Sequence, residues 1–150
     1  MTNRRRAAIA AVALLGSLTL VGCDLDTKPS ALVTLVAGDD SVHSEAACRN
    51  VKPSEEPAAD CAKESGAKPT VLRVSEGTTI GFGVEPSVAD TGWVVQIGNR
   101  QTAVIKDKTY FAGYSVPFGA FQDSDQIAVA VVQYKKDVPK NVWLFSLKQK

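Results

Sequence analysis

Residues 71–84 read VLRVSEGTTIGFGV, and the second half of that stretch has a period of two. Ile80, Phe82 and Val84 alternate with Thr79, Gly81 and Gly83, which places three large apolar side chains on one face of an extended strand. Val71 to Ser75 is a strand by the same rule. Glu76-Gly77 supplies turn residues between the two runs, so they are expected to pair as a hairpin.

The pattern extends in both directions. Trp93, Val95 and Ile97 alternate with Val94 and Gln96; Gly98-Asn99-Arg100 then turns the chain into a returning strand, Gln101 to Ile105. Gln126 to Tyr134, QIAVAVVQY, is apolar on nearly every position and reads as a central strand covered on both faces. Lys135 to Lys140 turns it into Asn141 to Leu147. Leu32 to Ala37 and Val42 to Ala47 add two candidate strands, and Ala58 to Gly66 a short helical segment. About eight short runs at roughly ten-residue spacing, with no long helical period after the first 22 residues, predict an all-β fold, a β-sandwich of seven to eight strands. The expected core is Leu35, Val74, Ile80, Phe82, Val84, Trp93, Val95, Ile97, Val129, Val131, Trp143 and Phe145. Two cysteines close together and upstream of Trp93 do not match the Cys, Trp, Cys order of antibody domains. The expectation is therefore an immunoglobulin-like layer arrangement without a specified topology.

The first 30 residues have a different character. MTNRRR, residues 1–6, is cationic, and residues 7–22 form an uncharged run of 16 residues ending in Leu20-Val21-Gly22-Cys23. Sixteen residues are short of the roughly 20 that span a bilayer comfortably, and the order of cationic, apolar and small-residue regions is that of an export signal. The last four residues resemble the lipobox of bacterial lipoproteins, which implies cleavage before Cys23 and a diacylglyceryl thioether on its sulfur. Two or more acyl chains make such an anchor durable. Asp24 to Ser30, DLDTKPS, is then a tether of at most about 25 Å, and the domain proper is residues 31–150. Asp24 resembles a signal for retention in the inner membrane, so the expected location is the outer face of the cytoplasmic membrane.

The 150-residue, 15.9 kDa chain has 45% hydrophobic and 22% charged residues, which fits one domain. Loss of Arg4, Arg5 and Arg6 leaves 14 basic against 16 acidic residues, a formal charge of −2. That balance argues against nucleic acid as a partner. The charge is unevenly placed: residues 106–150 hold seven lysines against four aspartates. Lys135, Lys136 and Lys140 share one turn, which suits anionic lipid heads or wall polymers and equally suits ordinary solvation. In an exported domain Cys48 and Cys61 are the two remaining thiols, and a disulfide between them is expected.

The segments VTLVAGDDSVHSEAACRN, IGFGVEPSVADTGWVVQIGNRQ, KTYFAGYSVPFGAF and VWLFSLK, following the lipobox, resemble a family of actinobacterial lipoproteins known only as a domain of unknown function. The resemblance spans nearly the whole chain after Cys23, and Val84 to Trp93, VEPSVADTGW, is its most distinctive piece. It implies a lipid-anchored extracytoplasmic domain and carries over no catalytic residues. Asp90-Thr91-Gly92-Trp93 is also weakly similar to a turn of small β-sandwich protease inhibitors.

Chemistry-bearing residues are sparse. His43 is the single histidine and Met1 the single methionine, so a cupredoxin-like copper site lacks its ligands, and no cofactor is expected. Asp39, Asp40, His43 and Glu45 form a polar cluster that is a weak candidate for a metal site, against a plain turn and solvated strand face. The alternative function is an envelope hydrolase, which the same four residues would serve, or a protease-inhibitor-like sandwich domain. Glu55-Glu56 are adjacent acids with no sign of the differing environments that acid/base work needs. Trp93 and Trp143 fall in strand runs and belong in the core. Tyr110 to Phe121, YFAGYSVPFGAF, mixes strand and loop. Its Tyr110, Tyr114, Phe118 and Phe121 are candidates for a contact surface with a cell-envelope protein or wall polymer, or for cover on the sandwich edge. The leading expectation is a non-enzymatic binding module.

Overall fold

In the computed structural model, which describes residues 29–150, the alternating runs become strands whose apolar faces meet. Along the chain these are β1 (Val33–Ala37), β2 (Asp40–Ser44), β3 (Cys48–Arg49), α1 (Pro57–Ser65), β4 (Thr70–Val74), β5 (Thr79–Val84), α2 (Pro86–Ala89), β6 (Trp93–Ile97), β7 (Arg100–Gln101), β8 (Tyr110–Ser115), β9 (Gln126–Lys135) and β10 (Val138–Gln149). One sheet has the order β2-β1-β5-β8; the other has β3-β10-β9-β6-β7, with β4 also on β10. The protein is an all-β sandwich. The strand count exceeds the expected seven to eight because β3 and β7 are two-residue pieces that pair only at a sheet margin.

All twelve expected core residues are buried. Ile80, Phe82 and Val84 face Val95, Val131, Trp143 and Phe145 across the sandwich in one cluster. Each fully buried side chain of this size contributes roughly 1.5–3 kcal/mol. Both tryptophans have no exposed surface, and each indole donates a hydrogen bond: Trp93 Nε1 to the Lys108 carbonyl at 3.0 Å and Trp143 Nε1 to the Ala31 carbonyl at 2.9 Å.

The expected hairpin over residues 71–84 does not form. β4 lies parallel to β10, Thr70 opposite Phe145 and Val74 opposite Gln149, whereas β5 sits in the other sheet between β1 and β8. Ser75 to Gly77 does reverse the chain, with Thr78 N–H donating to the Ser75 carbonyl at 3.2 Å. The reversal is a corner between sheets. Turn residues specify that the chain folds back; they do not specify which strand edge it meets, and both edges of β5 are occupied. The returning strand expected over Gln101 to Ile105 shortens to β7 plus a bridge between Trp93 and Ile105. The strand expected over 42–47 runs instead from Asp40 to Ser44, because its antiparallel partner β1 begins only at Val33, opposite Ser44. The turn expected over Lys135–Lys140 is only Lys136-Asp137, both at left-handed φ (53° and 62°), the backbone of a two-residue I′ loop.

β9 and β10 are apolar on both faces, as the reading of QIAVAVVQY requires. Val129 and Val131 point into the sandwich; Ala130 and Val132 point outward with Val94, Val142 and Leu144. Helix α1 covers that outer face. Pro57 starts it, Gly66 at φ 60° closes it, and Cys61 on its buried side joins Cys48 of β3 in a disulfide, Cα–Cα 5.8 Å.

The strand directions give the sandwich two poles. β1 begins at Val33, which lies opposite Ser44 and Val84, and the residue before β1 is fixed by Leu32 N–H to Glu85 Oε1 at 2.9 Å. Ser30 Oγ accepts from Ala46 N–H at 3.0 Å. This proximal pole also holds α2, the segment before β8, and the β9–β10 loop, since Tyr134 N–H donates to the Gly92 carbonyl. The distal pole, at the far ends of β1 and β10, holds the β1–β2 turn, Ser75 to Thr78 and the long connection between β8 and β9.

Sequence reading did not anticipate α2 or the polar network beneath it. Gln133 is 6% exposed. Its amide nitrogen donates to Thr91 Oγ1 (2.8 Å) and the Ser87 carbonyl (3.2 Å), and its oxygen accepts from Asn141 Nδ2 (2.7 Å). The distinctive VEPSVADTGW segment is thus bolted to the β9–β10 pair. Gln133→Leu would leave the Asn141 amide and Thr91 hydroxyl short of a partner and is expected to cost about 1–3 kcal/mol, read by urea denaturation. Replacing both Cys48 and Cys61 by Ala releases α1 and is expected to cost about 3 kcal/mol. Near-ultraviolet circular dichroism should still report a packed Trp93 and Trp143.

Candidate functional site

Strand β8 carries the aromatic segment along the margin of the smaller sheet. It is the last strand of that sheet, pairing only with β5 among the described residues. Alternation divides its side chains. Phe111 faces inward onto Phe82, ring centroids 6.4 Å apart. Tyr110, opposite Gly83, faces outward and lies across Gly81. A methyl on Gly81 would sit 2.8 Å from Tyr110 Cζ, so the missing side chain is what lets the ring lie flat on the sheet.

A register shift at Ile80/Gly81 leaves Gly113 as an extra residue, and Tyr114 consequently turns inward opposite Ile80, half-buried against the core. Burial raises the Tyr114 hydroxyl above its ordinary value of 10.0, and the Arg100 guanidinium partly offsets this. Burial raises Tyr134, which packs on the outer core beneath α1, in the same direction.

After buried Val116 the chain crosses the distal pole. Pro117 and Gly119, the latter at φ 78°, bracket Phe118, which is 87% exposed and rests one edge on Gly77, 3.5 Å from where a Cβ would stand. Phe121 turns back, half-buried, onto the core. Beside it lies an open cleft of about 480 Å³ between the 121–125 segment and the ends of β4 and β10, with Arg73, Asp123, Asp125 and Lys148 on its walls. Lys148 pairs with Asp125 at 3.9 Å.

The four candidate aromatics therefore do not form one patch. Tyr114 and Phe121 are core cover; Tyr110 faces outward from the small sheet at its proximal end; Phe118 alone stands out at the distal pole. Sequence reasoning missed the charged cleft, because its walls come from residues 73, 121–125 and 148 and meet only through the fold.

Asp39, Asp40, His43 and Glu45 are strung along and beyond β2 rather than gathered. Asp40 pairs with Lys150 at 2.6 Å and Glu45 with Arg49 at 3.6 Å. His43 lies opposite Thr34 on the exposed outer face. Among the described residues no group of three or more His, Cys, Asp or Glu is placed to hold a metal ion. Glu55 and Glu56 are exposed at the rim of a shallow groove of about 670 Å³ between α1 and the outer sheet face, floored by Ala128, Ala130 and Leu144. Cys23 lies outside the described residues. No helix among the described residues is long and apolar enough to cross a membrane. Comparison with protein-family models, curated proteins and solved structures gives no match.

The tyrosines supply a test of this packing. With their folded pKa values raised above the unfolded one, Tyr114 and Tyr134 retain protons that the unfolded chain has lost, so stability falls as pH rises through and beyond about 10. Tyr114→Phe with Tyr134→Phe should flatten that fall in thermal melts taken between pH 9 and 11.5, roughly the range over which a phenol titrates. A fall of the same steepness would place neither hydroxyl in a desolvated site.

Proposed function

We propose that the protein is an exported lipoprotein, anchored through lipid on Cys23 to the outer face of the cytoplasmic membrane, which acts by binding an envelope protein through its distal pole. The observation that carries this reading is Phe118: a ring 87% exposed, on a turn held by Pro117 and Gly119, at the opposite end of the sandwich from the first described residues. A rigid aromatic side chain contributes much contact area at little entropic cost, and aromatic anchors surrounded by a polar rim are the common anatomy of protein interfaces. The adjoining cleft, with Arg73, Lys148, Asp123 and Asp125 of both signs, supplies such a rim. The lipobox and the resemblance to actinobacterial lipoproteins support the anchor. The hydrolase alternative gains nothing from the geometry, since the only imidazole, His43, has no hydrogen-bond partner among the described residues.

Two measurements test the two halves. Mass spectrometry of membrane-extracted protein should find a chain beginning at Cys23 and carrying diacylglycerol; an intact chain with Met1 in the soluble fraction would refute the anchor. A photo-cross-linker at Glu76, beside the Gly77 that Phe118 covers, should give a discrete protein adduct in intact cells. Phe118→Ser should reduce that adduct at least tenfold, consistent with a hot-spot loss of about 2 kcal/mol. The same substitution should leave stability within about 0.5 kcal/mol, as at other surface sites, whereas Tyr114→Ala should cost about 2 kcal/mol or more. An undiminished adduct in Phe118→Ser would show that the distal ring is not the contact.

A further inference from the structure

The lysines of this domain differ according to the pole they occupy. At the distal pole Lys148 and Lys150 are both engaged, with Asp125 and Asp40. At the proximal pole stand Lys106, Lys108, Lys135, Lys136 and Lys140, and none of these five makes an ion pair among the described residues. Two separate segments bring them there. Residues 106–108 lie against α2, with Asp107 N–H donating to the Ala89 carbonyl and the Lys108 carbonyl accepting from Trp93. The β9–β10 loop is drawn to the same place by Tyr134 N–H on the Gly92 carbonyl. Four of the five are exposed and Lys140 is half-buried. Asp107 and Asp137 interrupt the set, and Glu85 and Asp90 lie behind it on the α2 segment, so the cationic character is local to the loop tips.

The chain reaches the domain at this same pole. Ser30, Ala31 and Leu32 are each hydrogen-bonded there, to Ala46, Trp143 and Glu85. Ser30 is the seventh residue after Cys23, at most about 25 Å of chain. That length keeps Cys23 within about 25 Å of the pole at which Ser30 is fastened.

We infer that the proximal pole docks on the anionic surface of the bilayer, with Lys106, Lys108, Lys135, Lys136 and Lys140 as its contacts. This inference rests on the lipid-anchored reading, which brings the pole within reach of the headgroups. Docking holds the long axis of the sandwich upright and projects Phe118 away from the membrane. Lysines within a Debye length of anionic lipid are attracted to it, and several act together once a tether has removed most of the cost of encounter. The Lys136-Asp137 loop is a short, rigid I′ turn, so its charges are presented without the entropy loss of ordering a flexible segment.

The test measures orientation directly. Both hydrophobic clusters are made entirely from residues 31–147, so a chain of residues 23–150 contains the whole folded unit. With Cys48 and Cys61 joined, Cys23 is its sole thiol and can be coupled to a maleimide lipid in vesicles. The vesicles are phosphatidylcholine with or without phosphatidylglycerol, doped with a gadolinium-chelating headgroup, and the readout is relaxation of backbone amides. On phosphatidylglycerol the amides of residues 106–108 and 135–140 should relax several-fold faster than on phosphatidylcholine alone, and those of residues 116–120 should not. Molar salt should erase the increase, as should Lys135→Glu with Lys136→Glu and Lys140→Glu; the salt arm serves if that variant folds poorly. No increase on phosphatidylglycerol, an equal increase at both poles, or an increase indifferent to salt would overturn the inference. Because the lipid is attached chemically, a cell that leaves Cys23 unmodified defeats the anchored reading in the extraction experiment and leaves this orientation result standing by itself.

Discussion

The β9–β10 pair has no polar face, and the rest of the fold answers that constraint. A strand with Val129 and Val131 on one side and Ala130 and Val132 on the other must be covered twice. The small sheet covers the inner side with Leu35, Ile80 and Phe82. The outer side receives one nine-residue helix of modest apolarity, with Pro57 and Cys61 as its buried residues, and beside it Ala47, Cys48 and Val51. Helices that short have little stability of their own. The disulfide to β3 holds α1 where burial alone would hold it weakly, so the covalent link and the two-faced strand belong to one solution.

The proximal pole is the second organising feature. Leu32, Ala31 and Ser30 are fastened to Glu85, to Trp143 of β10 and to Ala46, and the Gln133 network fastens α2 to β9 and β10 a short distance away. Every partner in that network is satisfied, and no buried side-chain nitrogen or oxygen among the described residues lacks a hydrogen bond. Such a network fixes one arrangement because any alternative strands a polar group in an apolar setting. Its effect is to hold the pole at which the preceding chain meets the domain in one arrangement.

Legibility in the sequence varied with the range of the interaction. Alternation in TTIGFGV, WVVQI and the apolar run of QIAVAVVQY identified strands and an inward-facing set that is buried throughout. The cysteine pair was legible because reading Cys23 as the lipid-bearing residue of an exported chain leaves a single pairing, Cys48 with Cys61. The hairpin over residues 71–84 was not, since its turn signal was real but its strands found edges in different sheets. Within YFAGYSVPFGAF, composition marked an aromatic cluster, yet one bulge at Gly113 decides that Tyr114 points in while Tyr110 points out. A one-residue change of register reverses the face of every later side chain, and the sequence pattern does not reveal where such a residue will fall.

What the sequence determined alone was therefore what local period and local chemistry carry: most of the strands, the two-faced character of β9 and the disulfide. Tertiary structure decided the pairing of β4 with β10, the separation of Tyr110, Tyr114, Phe118 and Phe121 onto different surfaces, the charged cleft, and the gathering of five lysines where the chain enters the domain. These depend on which edges and loop ends meet across sequence separations of 53, 75 and 112 residues. Side-chain period records the face a residue prefers, whereas such meetings are chosen by competition among edges that exist only once the sheets have formed.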